Sequence, residues 1–468
     1  MTDSAVAETC RLTVRAPSVT IDLAVPADVP VADLLPTLLR YVGEEAEEAG
    51  LDHAGWVLQR LGDAPLDEET TLAQAGLADG AVLHLRPHTE ALPEARLDDL
   101  VDGMAETVGR RLHTWHAGAA RGLLVGTAVA TVATALVMVF RPGVADSAAT
   151  RAACAAVAGV LLLAGAGSAS RAVGDRLSAT ALGLLVAPCF ALVGWVLPGG
   201  DLTGPDAAQV VGARLLAAGA AAAGGAVLAL AATAVGAPAL LATAVVAVAT
   251  AVSGALMGYT SLDAAASVAL VATVIVLAAG AVAPFAFKLA GMRMPALPSS
   301  AGQLQEGIDP YAGDEVAERT ELAGRWVTAL FAATGTIAAA ALAVLAHHPD
   351  LPETLTALAL ALLLLLHSRG LVHIGQRLTL AVPGVLGLLL LARAWAVDSD
   401  ADGRVIVFAV LLACAAGLVT ASWIVPGRRV LPYWGRAAEL AHTGLAVALL
   451  PFALWVAGLF GWLRGLFG

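Results

Sequence analysis

From about residue 120 onward the chain is a succession of apolar runs, each long enough to cross a bilayer, and this feature limits its possible folds more than any other. A hydrocarbon core of ~30 Å needs about 20 helical residues per crossing. Eleven spans are predicted, at 121–140, 152–170, 178–198, 212–233, 237–258, 264–287, 326–346, 351–367, 377–397, 404–425 and 440–462. Two divisions are weak, one at Gly236-Ala237-Pro238 and one at His347-His348-Pro349-Asp350. Merging either pair would change the parity. Charged residues make up only 14% of the chain, against roughly 25% for a soluble domain.

Those charges are divided unevenly. Residues 1–120 hold 21 acids and 8 bases, and the remainder holds 17 acids and 18 bases. An acidic, water-soluble head therefore precedes a nearly neutral, lipid-soluble body. No basic surface large enough to hold nucleic acid through phosphate contacts exists. The opening residues carry no signal peptide, so the head is expected in the cytoplasm. With eleven spans, fourteen Lys and Arg fall on the head's side and six on the other. Cytoplasmic loops carry the basic excess, which predicts a cytoplasmic N-terminus and an extracytoplasmic C-terminus.

In the head, Leu12 and Val14, then Ile21, Leu23 and Val25, alternate around Ala16-Pro17-Ser18, the pattern of a β-hairpin. Val31, Leu34, Leu35, Leu38, Leu39 and Val42 form one stripe of an amphipathic helix opened by Asp28 or Pro30. Trp56-Val57-Leu58 and residues 81–85 supply two further strands, in the order ββαββ. The segments Leu58-Gln59-Arg60-Leu61-Gly62, Thr71-Leu72-Ala73-Gln74-Ala75-Gly76-Leu77 and Val82-Leu83-His84-Leu85-Arg86 resemble a ubiquitin-like (β-grasp) fold. Residues 1–90 are expected to form that α+β domain. The chain continues past Arg86 into the membrane, so it is no conjugation tag. Glu44, Glu45, Glu47, Glu48, Asp67, Glu68 and Glu69 are candidate docking residues for a basic partner. The same acids could equally serve only to keep the head soluble.

Residues 91–120 form an amphipathic linker, with Leu97, Leu100, Val101, Met104, Val108, Leu112 and Trp115 on one helical face. Arg110, Arg111, Trp115 and Arg121 are candidate membrane-surface anchors facing anionic headgroups; a helix lying on the bilayer and a rigid stalk held against a partner both fit the pattern. The body at 121–468 is predicted to carry a cytoplasmic loop at 288–325 that could form a second contact surface. Gly118, Gly122 and Gly126, and Gly461 with Gly465, are spaced for close helix approach in lipid. Trp195, Trp326, Trp395, Trp423 and Trp434 are expected at the interfaces.

No catalytic constellation is found. The only lysine, Lys288, lies outside any phosphate-binding GxxxxGK[ST] loop, and HExxH and GxSxG are absent. The histidine groupings are His113 with His116, His347 with His348, and His367 with His373; without a third ligand they read as polar helix-end residues. Cys10, Cys154, Cys189 and Cys414 include no CxxC. No metal or other cofactor is expected. Arg171 and Asp175 are expected to form a loop ion pair. The acids of the body, Asp146, Asp175, Asp201, Asp206, Asp263, Asp350, Asp398, Asp400 and Asp402, fall in loops or at helix ends. A coupled transporter needs charge at mid-depth, so a transporter or permease with a regulatory head is the second choice.

A ubiquitin-like head, an amphipathic linker and an α-helical polytopic body of eleven spans together resemble EccD, the multispanning inner-membrane component of type VII (ESX) secretion machinery. The resemblance implies a non-enzymatic scaffold present as a dimer whose spans enclose a lipid-facing vestibule. It also implies other secretion-complex subunits as partners, among them an FtsK/SpoIIIE-type ATPase that docks on the head and supplies the energy.

Overall fold

The computed structural model describes residues 9–17, 19–43, 55–61, 63–77, 79–88, 117–141, 147–292, 313–347, 350–424 and 432–467. It divides into two compact units, Met1–His116 and Ala117–Gly468.

The first unit is built on strands β1 (Thr9–Arg15), β2 (Thr20–Pro26), β3 (Trp56–Arg60) and β4 (Ala81–Pro87) and helix α1 (Val31–Val42). β1 and β2 form the expected hairpin, with Leu12 opposite Leu23 and a turn closed by Ala16 N–H donating to the Val19 carbonyl at 2.8 Å. The sheet order is β2-β1-β4-β3, with β1 parallel to β4. That parallel pair requires a crossover, and α1 lies in the connecting chain. Alternation along β1 sends Cys10, Leu12 and Val14 inward to meet Val31, Leu34, Leu35 and Leu38 of the α1 stripe. Leu58, Leu72, Leu83 and Leu85 complete the core at 0–1% exposure. Leu72 comes from a turn rather than a regular element. Thr71 and Gln74 hold it by a reciprocal capping box: Gln74 N–H donates to Thr71 Oγ1 at 3.2 Å, and Thr71 N–H to Gln74 Oε1 at 3.1 Å.

The second unit contains helices α2 (Ala117–Val139), α3 (Ala148–Ser168), α4 (Arg176–Val196), α5 (Ala207–Thr233) and α6 (Ala237–Tyr259). There follow α7 (Ala264–Ala278), α8 (Val282–Leu289), α9 (Gly313–Leu345), α10 (Leu351–Ser368), α11 (Ile374–Asp398), α12 (Ala401–Ile424), α13 (Pro432–Val456) and α14 (Leu459–Phe467). A π-turn, Ala169–Val173, extends α3, and a 3₁₀ turn, Ala279–Ala281, joins α7 to α8. Counting each of these as one crossing, eleven helices among the described residues are long and apolar enough to span a membrane. The last runs over Tyr433–Val456, not 440–462, because Gly458 takes φ 75° and separates α13 from α14. The stretch 313–325, expected as loop, is helical. Glu315 with Arg319, and Glu321 with Arg325 at 2.6 Å, are i,i+4 pairs that favour continuing the helix.

Helices α3 to α6 pack in sequence order. A second group, α7, α9, α10, α11 and α13, surrounds an apolar core containing Phe331, Leu342, Leu345, Leu360, Leu364, Leu380 and Leu449. Contact between α6 and α9 joins the two groups. Helices α2 and α12 bury no residue at all.

Close backbone approach occurs at glycines other than those expected. Gly122, Gly126, Gly461 and Gly465 face open space. A Cβ at Gly219 or Gly254 would instead fall onto the backbone of the facing helix in the α5–α6 pair, and one at Gly335 onto Thr379. Lipid supplies no hydrophobic drive for helix association, so these backbone contacts carry much of the packing energy. Two buried hydroxyls return to their own helices, Thr233 to Ala229 O (2.8 Å) and Ser253 to Ala249 O (3.0 Å), whereas that of Ser267 has no partner among the described residues. Trp395, Trp423 and Trp434 are exposed, but Trp326 is buried between α8 and α9 with Ala286 and Ala290.

Candidate interaction surfaces

In the head, Asp67, Glu68 and Glu69 are exposed on one turn beside the N-terminus of α1. Pro30 at that N-terminus supplies no side-chain cap. The turn caps it with backbone instead: Val31 N–H donates to Thr70 O (3.0 Å) and Ala32 N–H to Glu68 O (2.9 Å). Asp67 shapes the turn by accepting the Glu69 N–H at 3.1 Å. The Glu68 and Glu69 carboxylates have no protein partner among the described residues, which separates a structural acid from two available ones. Glu44, Glu45, Glu47 and Glu48 lie outside the described residues. Cys10 sits behind this face in the core, and burial, with Asp79 adding to it, pushes its thiol pKa up.

Arg110, Arg111 and Trp115 also lie outside the described residues. Arg121 is described. It reaches Asp175 at 2.6 Å, linking α2 to the start of α4. Asp175 also caps α4 by accepting the Ser178 N–H at 3.1 Å. Arg121 first, then the Ser178 hydrogen bonds, hold the Asp175 carboxyl well below the usual carboxylate range. The expected Arg171–Asp175 pair does not form. Arg171 instead donates to the carbonyls of Ala232 (2.9 Å) and Ala231 (3.0 Å), and Ser170 to that of Thr233 (2.5 Å). Those carbonyls end α5 and lack intrahelical donors, so a guanidinium there satisfies orphan acceptors at the negative end of the helix dipole. Arg214 donates to the carbonyls of Gly199 (3.0 Å) and Gly200 (2.7 Å) in the loop after α4, its guanidinium lying 5.8 Å from the Trp195 ring.

His367 is not grouped with His373. It meets His442, 75 residues away, with Nδ1 and Nε2 3.3 Å apart and the Phe331 ring edge-on at 5.5 Å. One nitrogen of that contact must donate and the other accept. Nothing local in the sequence marks His442, because its partner is brought by the α10–α13 packing. Among the described residues no three His, Cys, Asp or Glu side chains are placed to hold a metal. The described aspartates of the body sit in loops or at helix ends, and Asp175, Asp206, Asp263 and Asp350 are N-caps.

Residues 120–466 match the EccD-like transmembrane domain. The chain belongs to the EccD family. Residues 9–85 match YukD of the WXG100 protein secretion system, which accounts for the ubiquitin-like head. The ESX-4 secretion system protein eccD4 of Mycobacterium tuberculosis, strains H37Rv and CDC 1551, is 39% identical over 95 residues, spanning 20% of this EccD chain and 20% of the relative. Among solved structures, protomer 1 of the ESX-3 core complex superposes over 97% of this chain and 99% of its own with TM-score 0.55 at 18% identity. A chain of the MycP5-free ESX-5 inner membrane complex does so over 88% and 99%, with TM-score 0.58 at 20% identity. At those identities the likeness concerns the fold.

Proposed function

We propose that this EccD chain is a structural component of a type VII secretion complex in the bacterial plasma membrane, acting as a scaffold and not as an enzyme. The observation that carries the proposal is the union, in one chain, of an EccD-like body over 120–466 with a YukD-like head over 9–85. The fold likeness to chains of two ESX membrane assemblies supports it. The ubiquitin-like head, within residues 1–90, docks a membrane-anchored ATPase subunit in the cytoplasm. The linker at 91–120 follows the membrane surface through Arg110, Arg111 and Trp115, and the body at 121–468 pairs with a second copy. The N-terminus is cytoplasmic and the C-terminus extracytoplasmic, as the fourteen-to-six division of basic residues favours. Energy comes from the partner ATPase.

Isolation of the tagged chain in mild detergent, with identification of its co-purifying subunits, tests this reading. The expected result is a complex containing an FtsK/SpoIIIE-type ATPase and two copies of this chain, with no nucleotide turnover by the chain alone. Recovery of a solitary chain that catalyses solute uptake in vesicles would replace the scaffold with a permease.

A further inference from the structure

A cavity of about 1550 Å³ lies within the membrane unit, between α4, α6, α9 and α11. It is larger than the roughly 300–1,000 Å³ of a small-molecule site. The N-terminal parts of all four helices meet at its mouth, where Arg176, Arg325, Glu321 and His373 line it. Glu321 pairs with one Arg325 nitrogen. The Arg176 guanidinium has no acidic partner among the described residues, and the mouth is therefore net positive.

Deeper in, the lining is Ala, Val and Thr, as in Ala242, Val246, Ala332 and Thr336. Its threonines do not make this wall polar. Thr243, Thr328 and Thr336 each donate to the carbonyl four residues earlier at 2.8–2.9 Å, leaving their methyls to the cavity. Along α9 the lining extends from Ala317 to Thr336, about 28 Å at 1.5 Å per residue. One buried polar group interrupts it near the mouth. Gln376 is 7% exposed, and the only hydrogen bond of its side-chain amide among the described residues is a 3.4 Å donation to Gly324 O. The rest of its amide capacity is available to an occupant with hydroxyl or phosphate oxygens.

A cavity that is cationic and hydrogen-bonding at one end and apolar for most of its length, at a membrane face, has the polarity profile of a phospholipid. We propose that it holds one anionic phospholipid, with the phosphate between Arg176 and Arg325 and the acyl chains along the α6 and α9 walls. The lining residues all belong to one chain. It requires that the unit span a membrane, but it does not depend on the secretion reading.

Native mass spectrometry of the full-length protein, titrated with phosphatidylglycerol or phosphatidylcholine of the same acyl chains, tests the charge. Wild type should retain phosphatidylglycerol roughly fivefold better, the size of effect expected for one net surface cation. The double variant Arg176→Gln/Arg325→Gln should lose that preference, and Arg176→Lys/Arg325→Lys should keep it, since point charge suffices. Equal retention of the two lipids by wild type overturns the proposal. A benzoyl-phenyl photoprobe at Ala329, irradiated in native membranes, tests the occupant. A phospholipid adduct supports the assignment, while a crosslink to a polypeptide makes the cavity a protein groove and overturns it.

Discussion

Asp175 shows how one side chain can hold a helix that burial does not. Helix α2 buries no residue, and the Arg121–Asp175 pair is a specific tie between it and α4. The folded-state pKa of Asp175 lies below its unfolded value of about 4. Its stabilisation is therefore fully present well above that value and is lost progressively as pH falls from about 5 towards the depressed one. Hydrogen exchange over residues 117–125 should stay equally protected from pH 7 to pH 6 once the intrinsic rate is corrected, and protection should fall as pH drops below about 5. Asp175→Asn should raise exchange at pH 7 and abolish that pH dependence; protection in wild type that is unchanged between pH 6 and pH 3 would contradict the assignment. In the head, the same reasoning separates neighbouring acids. Asp67→Ala removes the acceptor of the Glu69 N–H and should cost the head about 0.5–1.5 kcal/mol in denaturant unfolding. Glu68→Lys with Glu69→Lys should leave that stability unchanged and slow association with the ATPase subunit several-fold at low salt, an effect that disappears at high salt because the charges are screened. Association that is unchanged at both salt concentrations would assign these acids to solubility.

Among elements, what the sequence makes visible differs between lengths and contacts. The eleven spans are legible because bilayer thickness sets a length that composition must satisfy, and the α1 stripe because a helix repeats every 3.6 residues. Which glycines meet a neighbour is not legible. Forty-eight glycines in an Ala-rich chain offer many four-residue spacings, and only packing selects among them. That is why Gly122 and Gly126 face open space while Gly219 and Gly254 meet backbone. Arg171 departs from its expected partner for a related reason, because an acid four residues away is visible in sequence and the carbonyls of Ala231 and Ala232 are not. The pairing of His367 with His442 is hidden by the same limitation. Gly219→Leu or Gly254→Leu should separate α5 from α6 and destabilise the full-length protein by about 1–3 kcal/mol or more in thermal unfolding. Gly122→Leu should stay within about 0.5 kcal/mol of wild type. Equal losses at all three positions would mean that Gly122 also lies against a neighbour.

For the whole molecule, the parity of the crossings decides whether the two ends share a side. Among the described residues eleven helices are long and apolar enough to span, and eleven crossings would put residues 95 and 466 on opposite sides of the membrane. The two weak divisions in the sequence are both breaks between separate helices. Ala234 and Gly236 take φ 52° and 68° and turn the chain from α5 into α6, and Asp350 begins α10 as its N-cap after α9 has ended at Leu345. A left-handed non-glycine residue costs roughly 1–2 kcal/mol, so the turn at Ala234 is held by packing: the neighbouring Thr233 hydroxyl accepts the Val235 N–H at 3.5 Å, and Arg171 covers the carbonyls just before it. Single reporter cysteines at residues 95 and 466, placed in a background in which Cys10, Cys154, Cys189 and Cys414 are replaced by Ser or Ala, check the parity directly. In spheroplasts, a membrane-impermeant maleimide should label position 466 directly and position 95 only after the membrane is opened. The basic residues favour that direction, and the odd number of crossings requires opposite sides whichever direction holds. Labelling of both positions from one side would mean that an odd number of these helices, in the simplest case one, does not cross, and α2 or α12, the two helices that bury nothing, is where such a departure should be sought first.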